Sequence, residues 1–234
     1  DKLGLNLPGL QEELLETITA VGKPVVLVLS AGSAIDLSWA EEHVPAILDS
    51  WYPGARGGKA VAEALFGDYA PNGKLPVTFY QGTENLPEFT DYSMAGRTYR
   101  YTDKNILYPF GYGLTYGTIS YSGAKTEQET SAVLDDVTVC TKVKNESAYP
   151  LHESVEVYVK YKNAQPGEEK EVSVTLHARD FAVITEDGGC VVRPGEYEIS
   201  IGGQQPGERS RALTGRETEI LTVRKEGNEE NVEY

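Results

Sequence analysis

Flat aromatic side chains and guanidinium groups are the residues of this sequence best suited to bind a ligand. Trp51 ends a predicted strand and Tyr52 follows it, and Arg97 and Tyr99 lie in a tyrosine-rich segment. Aromatic rings pack on the apolar C–H faces of sugars, while guanidinium groups hydrogen-bond hydroxyl or carboxylate oxygens. These four residues are candidates for lining a carbohydrate pocket. Trp51 equally suits a core, and Arg97 equally suits a structural lock on its own segment.

A glycine cluster between a predicted strand and helix looks at first like a phosphate-binding loop. Gly54, Gly57 and Gly58 are not spaced as GxGxxG, and Lys59 is followed by Ala60 where a P-loop has serine or threonine. Neither nucleotide-binding fingerprint is therefore met. The glycines are better explained by a tight strand-to-helix turn.

Nucleophilic and metal chemistry also lack the residues they need. Ser33 stands outside a GxSxG elbow, and the scattered His43, His152 and His177 suggest neither a triad nor a metal site. The sequence therefore indicates no cofactor. Cys140 and Cys190 are open to two interpretations, a disulfide between neighbouring strands or two buried free thiols.

Composition excludes some partners. The 234 residues carry a net charge of −15, which would repel a polyanion, so no nucleic acid is expected. No stretch of about 18 apolar residues occurs, so no membrane span is expected. The acidic segment at residues 226–233 reads as a frayed, solvated end.

The first half alternates helix and strand patterns. Leu10, Leu14, Ile18 and Val21 recur at helical spacing, and Val25–Leu29 is a short β-branched run typical of a strand buried on both faces. A second helix and strand (Trp39–His43, Ala46–Trp51) and a third helix (Gly57–Phe66, ended by Gly67) follow. Such alternation predicts an α/β open sheet with flanking helices, a partial α/β/α sandwich.

The second half changes to a period of two. Apolar residues alternate in runs separated by turn residues, which predicts an all-β sandwich of immunoglobulin or fibronectin type III kind. The runs are Val137–Val143, Val155–Tyr161, Val172–Leu176 and Tyr197–Ile201. We expect an α/β domain at residues 1–79, an ordered connector at 80–118, the sandwich at 119–224 and an acidic tail at 225–234.

Long motifs in fixed order resemble the C-terminal portion of glycoside hydrolase family 3, of the β-glucosidase type. They are Asp1–Gln11 (with Lys2 where arginine is usual), Trp39–Gly54, Gly57–Ala60, Leu65–Thr78, Arg97–Tyr101, Tyr108–Tyr116, Val143–Asn145, Val155–Val159 and Pro194–Tyr197. The resemblance spans almost the whole chain. It implies a retaining enzyme acting on a β-glycoside, with one carboxylate as nucleophile and another as acid and base.

The same resemblance implies that both catalytic carboxylates are missing here. The nucleophile of such enzymes lies on a preceding barrel domain, and the acid/base lies on a loop before the segment that begins at Asp1. We therefore assign no catalytic residue, and Glu12, Glu13 and Glu16 read as a solvated helix face. Asp1 joins Trp51, Tyr52, Arg97 and Tyr99 as a candidate for lining or supporting the pocket.

Several expectations stay open at this stage. The partner implied is the missing barrel domain, in the same polypeptide or a companion chain. The alternative is a non-catalytic carbohydrate-binding or assembly module. Family frequency favours glucose as the sugar, with xylose, N-acetylglucosamine and others as alternatives, and a homo-oligomer is possible. After Ala164 the loop and strand that the resemblance implies for the sandwich are absent. Either an element has been lost, which would open a sheet edge, or a stretch is omitted, which the intact flanking turns favour.

Overall fold

The computed structural model describes residues 4–84, 86–102, 104–161, 172–185 and 189–232. The chain divides into a first unit, Asp1–Pro71 with Leu75–Phe110, and a second unit, Asn72–Lys74 with Gly111–Tyr234. None of the helices in the described ranges has the length and apolar character that crossing a membrane requires. The stretch expected to be omitted after Ala164 falls outside those ranges.

The first unit alternates helices and strands. Its elements are α1 (Gln11–Thr19), β1 (Val26–Leu29), α2 (Ser38–His43), β2 (Ala46–Asp49), α3 (Gly57–Phe66), β3 (Phe79–Tyr80), α4 (Thr98–Tyr101) and β4 (Ile106–Tyr108). β1 and β2 pair in parallel, with Leu29 opposite Asp49, and β3 pairs antiparallel with β4. The first five elements confirm the predicted helix and strand order, and β1–α2–β2 is a βαβ unit.

Helix α3 ends where the sequence predicts. Gly67 has a φ of 80°, a left-handed conformation that costs glycine little. Its N–H donates to the carbonyl oxygen of Ala64 at 3.2 Å, and the N–H of Asp68 donates to that of Glu63 at 2.8 Å. These bonds satisfy carbonyl groups at the helix end that would otherwise lack a partner.

The expectation that β1 is buried on both faces is wrong. Val26 and Val28 are 47% and 38% exposed, while Leu29 is 7% exposed, so one face of β1 meets the core and the other meets solvent. In α1 the predicted apolar face points outward, with Leu10 75% exposed, and Leu15 is the residue that is buried. The spacing was right, but the neighbours that would cover the second face are not among the described residues.

The core of the first unit gathers side chains from loops as well as from regular elements. Its buried members are Leu15, Leu29, Ile35, Leu37, Ala40, Val44, Phe79 and Leu107. Phe79 on β3 and Leu107 on β4 belong to the tyrosine-rich part of the chain. That part therefore packs into the first unit as an ordered structure.

The second unit is a β-sandwich. Its elements are β5 (Ile119–Thr126), β6 (Thr130–Ala132), β7 (Val137–Asn145), β8 (Glu156–Tyr161), β9 (Val172–Leu176), β10 (Val183–Ile184), β11 (Cys190–Val192), β12 (Gly195–Gly202), α5 (Glu208–Thr214), β13 (Glu219–Glu226) and β14 (Glu230–Asn231). One sheet has the order β6-β13-β12-β8, a second β5-β7-β9, and a third β10-β11-β14. The all-β sandwich predicted from the alternating runs is thus confirmed.

Side chains from the first two of these sheets meet in a single core. Val137 and Val139 of β7 are fully buried, as are Ile199 of β12 and Val223 of β13. Tyr197 contributes its ring, which meets Phe181 edge-on at 5.4 Å between centroids. Its hydroxyl donates to the carbonyl oxygen of Arg193 at 2.8 Å, so the polar end of this buried ring is satisfied.

The acidic end does not fray as predicted over its whole length. β13 continues to Glu226, and β14 pairs with β11. Lys225 occupies a core-facing position and is 1% exposed. Its Nζ donates to the carbonyl oxygens of Asp135 and Ala132 and lies 4.4 Å from the centroid of the Phe181 ring. These contacts compensate for burying the ammonium group, although burial still lowers its pKa.

A buried polar cluster fixes two short segments within the second unit. The Nζ of Lys74 lies 3.4 Å from Oε1 of Glu153, and both side chains are less than 10% exposed. The same Nζ donates to the carbonyl oxygen of Gly113 at 3.1 Å. The hydroxyl of Tyr121 donates to Glu153 at 2.5 Å. The cluster therefore ties Lys74 and Gly113 to the sandwich strands.

Glu156 adds a second carboxylate to this cluster. It accepts a hydrogen bond from the hydroxyl of Tyr158 and lies against Gly111, where any Cβ would fall 2.0 Å from its Oε2. Burial raises the pKa of Glu156, and nearby Glu153 raises it further, while Tyr158 and Lys74 oppose the rise. One lysine thus faces two carboxylates.

We expect Tyr197→Phe to lower the free energy of unfolding of the second unit by about 1–2 kcal/mol, because the Arg193 carbonyl loses a buried donor. Urea denaturation of both proteins would measure this. Tyr149→Phe is the control, since that tyrosine is 46% exposed. Equal losses in the two variants would contradict the assigned role of the Tyr197 hydroxyl.

The raised pKa of Glu156 predicts a pH dependence. The folded state keeps this proton at pH values where the unfolded chain, with a pKa near 4.5, has lost it, so stability should fall as pH rises above that value. Glu156→Gln is neutral at every pH and should raise the Tm at pH 7 by about 2–4 °C.

Glu146→Gln is the matched control for this prediction. Glu146 is exposed and its pKa is lowered by hydrogen bonds from Lys144 and Ser120, so its loss should bring no gain. Thermal melts between pH 4 and 8 measure both variants. The difference between the Tm of the wild type and that of Glu156→Gln should become more negative as pH rises. A difference that stays constant or becomes more positive would show that Glu156 does not cause the loss of stability.

Candidate functional site

The carboxyl ends of β1 and β2 lie at one edge of the parallel pair. The N–H and the hydroxyl of Ser50 both donate to the carbonyl oxygen of Leu29 at 2.9 Å, and the hydroxyl oxygens of Ser50 and Ser30 are 2.7 Å apart. This edge is where open α/β sheets bind ligands. The serines join the two strand ends, so residues that follow β2 start from a fixed point.

Trp51 and Tyr52 leave this edge in different directions. Trp51 has a φ of 50°, which is uncommon for a residue with a Cβ, and its N–H donates to Oδ1 of Asp49 at 2.9 Å. Its half-buried ring meets Phe79 edge-on at 6.3 Å. Tyr52 is 78% exposed, and its ring lies over Gly32, where a Cβ would fall 2.5 Å from a ring carbon. Trp51 therefore packs on the core, and Tyr52 presents a ring to solvent.

Asp49 is a carboxylate at this edge that the sequence did not single out. Its Oδ2 is buried and has no hydrogen-bond partner in the described part of the chain. Burial raises the pKa of this carboxyl group, while the bond from Trp51 opposes the rise. Because Oδ1 holds the strained turn at Trp51, Asp49 supports the position of the aromatic pair.

The guanidinium group of Arg97 is hydrogen-bonded to backbone carbonyl oxygens of its own segment. Its Nη2 donates to the carbonyl oxygens of Pro87 at 3.3 Å, Glu88 at 2.8 Å and Asp91 at 2.9 Å. These contacts are those of a structural lock. A role of Arg97 toward substrate stays a prediction, and the observed geometry supports an indirect one.

Tyr99 lies in the same part of the chain and stacks on Phe110, with ring centroids 4.5 Å apart. The guanidinium of Arg100 lies 5.7 Å from the Tyr99 centroid, and its Nε donates to the Tyr99 hydroxyl at 3.2 Å. The Tyr99 ring and its hydroxyl thus both contact protein groups. Asp1, the remaining candidate, lies outside the described residues.

A cavity of about 220 Å³ in the first unit is lined by two acidic residues, Glu12 and Asp36. Its lining is Asn6, Leu7, Glu12, Leu15, Asp36, Leu37, Ser38, Trp39 and Ala40. Oδ1 of Asp36 accepts from the N–H and hydroxyl of Ser38 at 3.0 and 2.5 Å, and Oδ2 accepts from the N–H of Gly82 at 2.9 Å. Asp36 is therefore committed to the start of α2 and to the segment after β3.

The sequence analysis missed Asp36, although a signal existed. An acidic residue just before a helix is a known N-terminal signal, and Asp36 precedes α2 by two positions. Nothing in the sequence signalled its bond to Gly82. Among the described residues, no group of three or more histidine, cysteine or acidic side chains is placed to hold a metal ion.

Two family profiles match the chain in the order of its two folds. The glycosyl hydrolase family 3 C-terminal domain matches residues 1–116, and the fibronectin type III-like domain matches residues 158–205. Among curated relatives, a xylan 1,4-β-xylosidase of Xylanibacter ruminicola is 46% identical over 160 residues, covering 68% of this chain and 18% of that protein. A β-xylosidase of Formosa agariphila is 35% identical over 224 residues, covering 86% and 31%.

Solved structures of β-glucosidases also resemble this chain over nearly its whole length. A β-glucosidase of Erythrobacter marinus superposes with a TM-score of 0.77 at 30% identity, covering 96% of this chain and 31% of that one. The β-glucosidase of Kluyveromyces marxianus in complex with glucose gives 0.79 at 25% identity, covering 99% and 30%. The chain thus spans about a third or less of each of these four proteins. From the two profiles in order and the shared fold, we conclude that the chain belongs to glycoside hydrolase family 3, of which it carries the C-terminal domain and the fibronectin type III-like domain.

Proposed function

We propose that this chain is part of a retaining β-glycosidase that hydrolyses terminal β-linked sugars, and that it supplies a pocket wall and a bracing sandwich. The observation that carries the proposal is the match to both family domains in order. The names of the similar proteins, β-xylosidase and β-glucosidase, support the substrate class. A purely non-catalytic module is not favoured, because the matched relatives carry enzyme names.

In this proposal the catalytic carboxylates come from outside the chain. Retaining hydrolysis needs two carboxyl groups about 5–5.5 Å apart across the sugar. Asp36 accepts hydrogen bonds within the first unit, and Glu13 and Glu16 lie on the exposed face of α1 as expected. Glu12 differs from that expectation, because it is half-buried and lines the cavity with Asp36. An N-terminal barrel domain and the loop before Asp1 would supply the nucleophile and the acid/base.

The pocket wall is formed in this proposal by the edge after β2. Tyr52 offers an exposed ring for a sugar face, while Asp49 and Trp51 hold the turn that places it. Arg97 and Tyr99 support the wall indirectly, and Asp1 stays a proposed lining residue. We further propose the domain limits as 1–79, 80–118, 119–224 and 225–234. β-Xylosides stand beside β-glucosides as substrates because relatives with both names match.

The 234-residue chain alone should release no nitrophenol from aryl β-xylosides or aryl β-glucosides, since it lacks the carboxylate pair. The full-length polypeptide, with its barrel domain, should hydrolyse at least one of them. A spectrophotometric assay of both proteins on both substrates tests this. Sustained turnover by the chain alone would refute the division of labour.

In the full-length enzyme, Tyr52→Ala should raise the KM for the preferred aryl glycoside about three- to tenfold, because an aromatic contact contributes about 0.5–1.5 kcal/mol. The Tm should not change, since the ring is largely exposed. Trp51→Ala should instead lower stability by about 2–3 kcal/mol through the lost contact with Phe79. Phe66→Ala, at another exposed ring, is the control. An unchanged KM for Tyr52→Ala would remove Tyr52 from the pocket.

A further inference from the structure

A closed loop in the first unit presents apolar side chains to solvent. This aromatic loop comprises residues 83–97 apart from residue 85, which is not described. Phe89 is 84% exposed, Tyr92 89% and Met94 47%. Phenylalanine and methionine are among the residues most often buried in folded proteins. Three such side chains on one short loop therefore need an explanation.

The loop is held rigid from inside. The guanidinium of Arg97 donates to the carbonyl oxygens of Pro87, Glu88 and Asp91, so it bonds to both the start and the middle of the loop. The N–H of Arg97 donates to the carbonyl oxygen of Met94 at 3.0 Å. Since the backbone is already ordered by these bonds, covering the loop with a partner costs little further conformational entropy.

The tip of the loop also carries negative charge. Glu88 and Asp91 are exposed beside the rings. Oδ1 of Asp91 accepts from the N–H of Ser93 at 2.8 Å, and this bond lowers the pKa of the carboxyl group. A matching surface would combine an apolar hollow with basic side chains at its rim.

The first unit as a whole leaves apolar area uncovered. Among the described residues, fifteen of the twenty large apolar side chains that are strongly exposed lie in the first unit, although the second unit is longer. Patches of this kind on a folded protein mark interaction surfaces. The similar proteins are about three times as long as this chain or longer, so much of such an enzyme lies elsewhere.

We infer that the aromatic loop is the contact by which this chain docks on the N-terminal barrel domain of the larger enzyme. The inference rests on the proposed function in requiring that domain. Phenylalanine, tyrosine and methionine are enriched at protein interfaces. The rings of Phe89 and Tyr92 are exposed, and the 220 Å³ cavity of the same unit is lined by other residues.

Hydroxyl-radical footprinting of the full-length enzyme without substrate tests the docking directly. Phe181, which is 1% exposed, is the reference for a covered ring, and the denatured enzyme is the reference for a free one. We expect Phe89 and Tyr92 to be oxidised several-fold more slowly than in the denatured enzyme, at rates near that of Phe181. Rates near those of the denatured enzyme would overturn the inference.

Paired variants give a second readout. Phe89→Ala combined with Tyr92→Ala should lower the Tm of the full-length enzyme by several degrees, while Thr90→Ala, an exposed polar position between them, should leave it unchanged. Slow oxidation that appears only after a xylo-oligosaccharide is added would assign the loop to sugar binding and overturn docking. Absence of glycosidase activity with a protected loop would instead reject the proposed function and leave docking intact.

Discussion

Burial of apolar surface is one-sided in the parallel strand pair β1 and β2, where one face of β1 packs on the core and the other is exposed to solvent. Leu29 at the end of β1 is buried, while Val26 and Val28 on the same strand are substantially exposed. Full burial of an apolar side chain contributes about 1.5–3 kcal/mol to the free energy of unfolding. The exposed valines and leucines of the first unit do not make this contribution. The outward apolar face of α1 repeats the pattern. A unit of this kind is built to be one layer of something larger.

In the second unit, by contrast, the apolar faces of the described strands are buried. Its strands alternate buried and exposed residues, and even the lysine at a core-facing position of β13 finds carbonyl oxygens and an aromatic ring for its ammonium group. Buried polar groups are tolerated only when they are paired, and the cluster around Lys74 and Glu153 meets that condition. The described part of the sandwich thus has a core of its own. This suits a bracing domain.

Three buried or half-buried carboxylates of the described chain have structural roles. Asp36 holds the start of α2 together with Gly82, Asp49 holds the turn at Trp51, and Glu153 holds Lys74. These carboxylates hold local structure, and the proposed division of labour places the catalytic pair on the part of the enzyme that precedes this chain.

The sequence by itself determined the element types and the family. Apolar spacing sets the period of a helix or strand locally, and long motifs such as Leu65–Thr78 identify a fold without reference to contacts. Only the tertiary structure decided which face of α1 and β1 is buried, because periodicity is the same whichever side meets the core. It also decided that Arg97 binds carbonyl oxygens of its own loop and that Asp36 bonds Gly82, 46 positions away. Such partners are brought together by the packing of distant segments, and no local pattern in the chain encodes that packing.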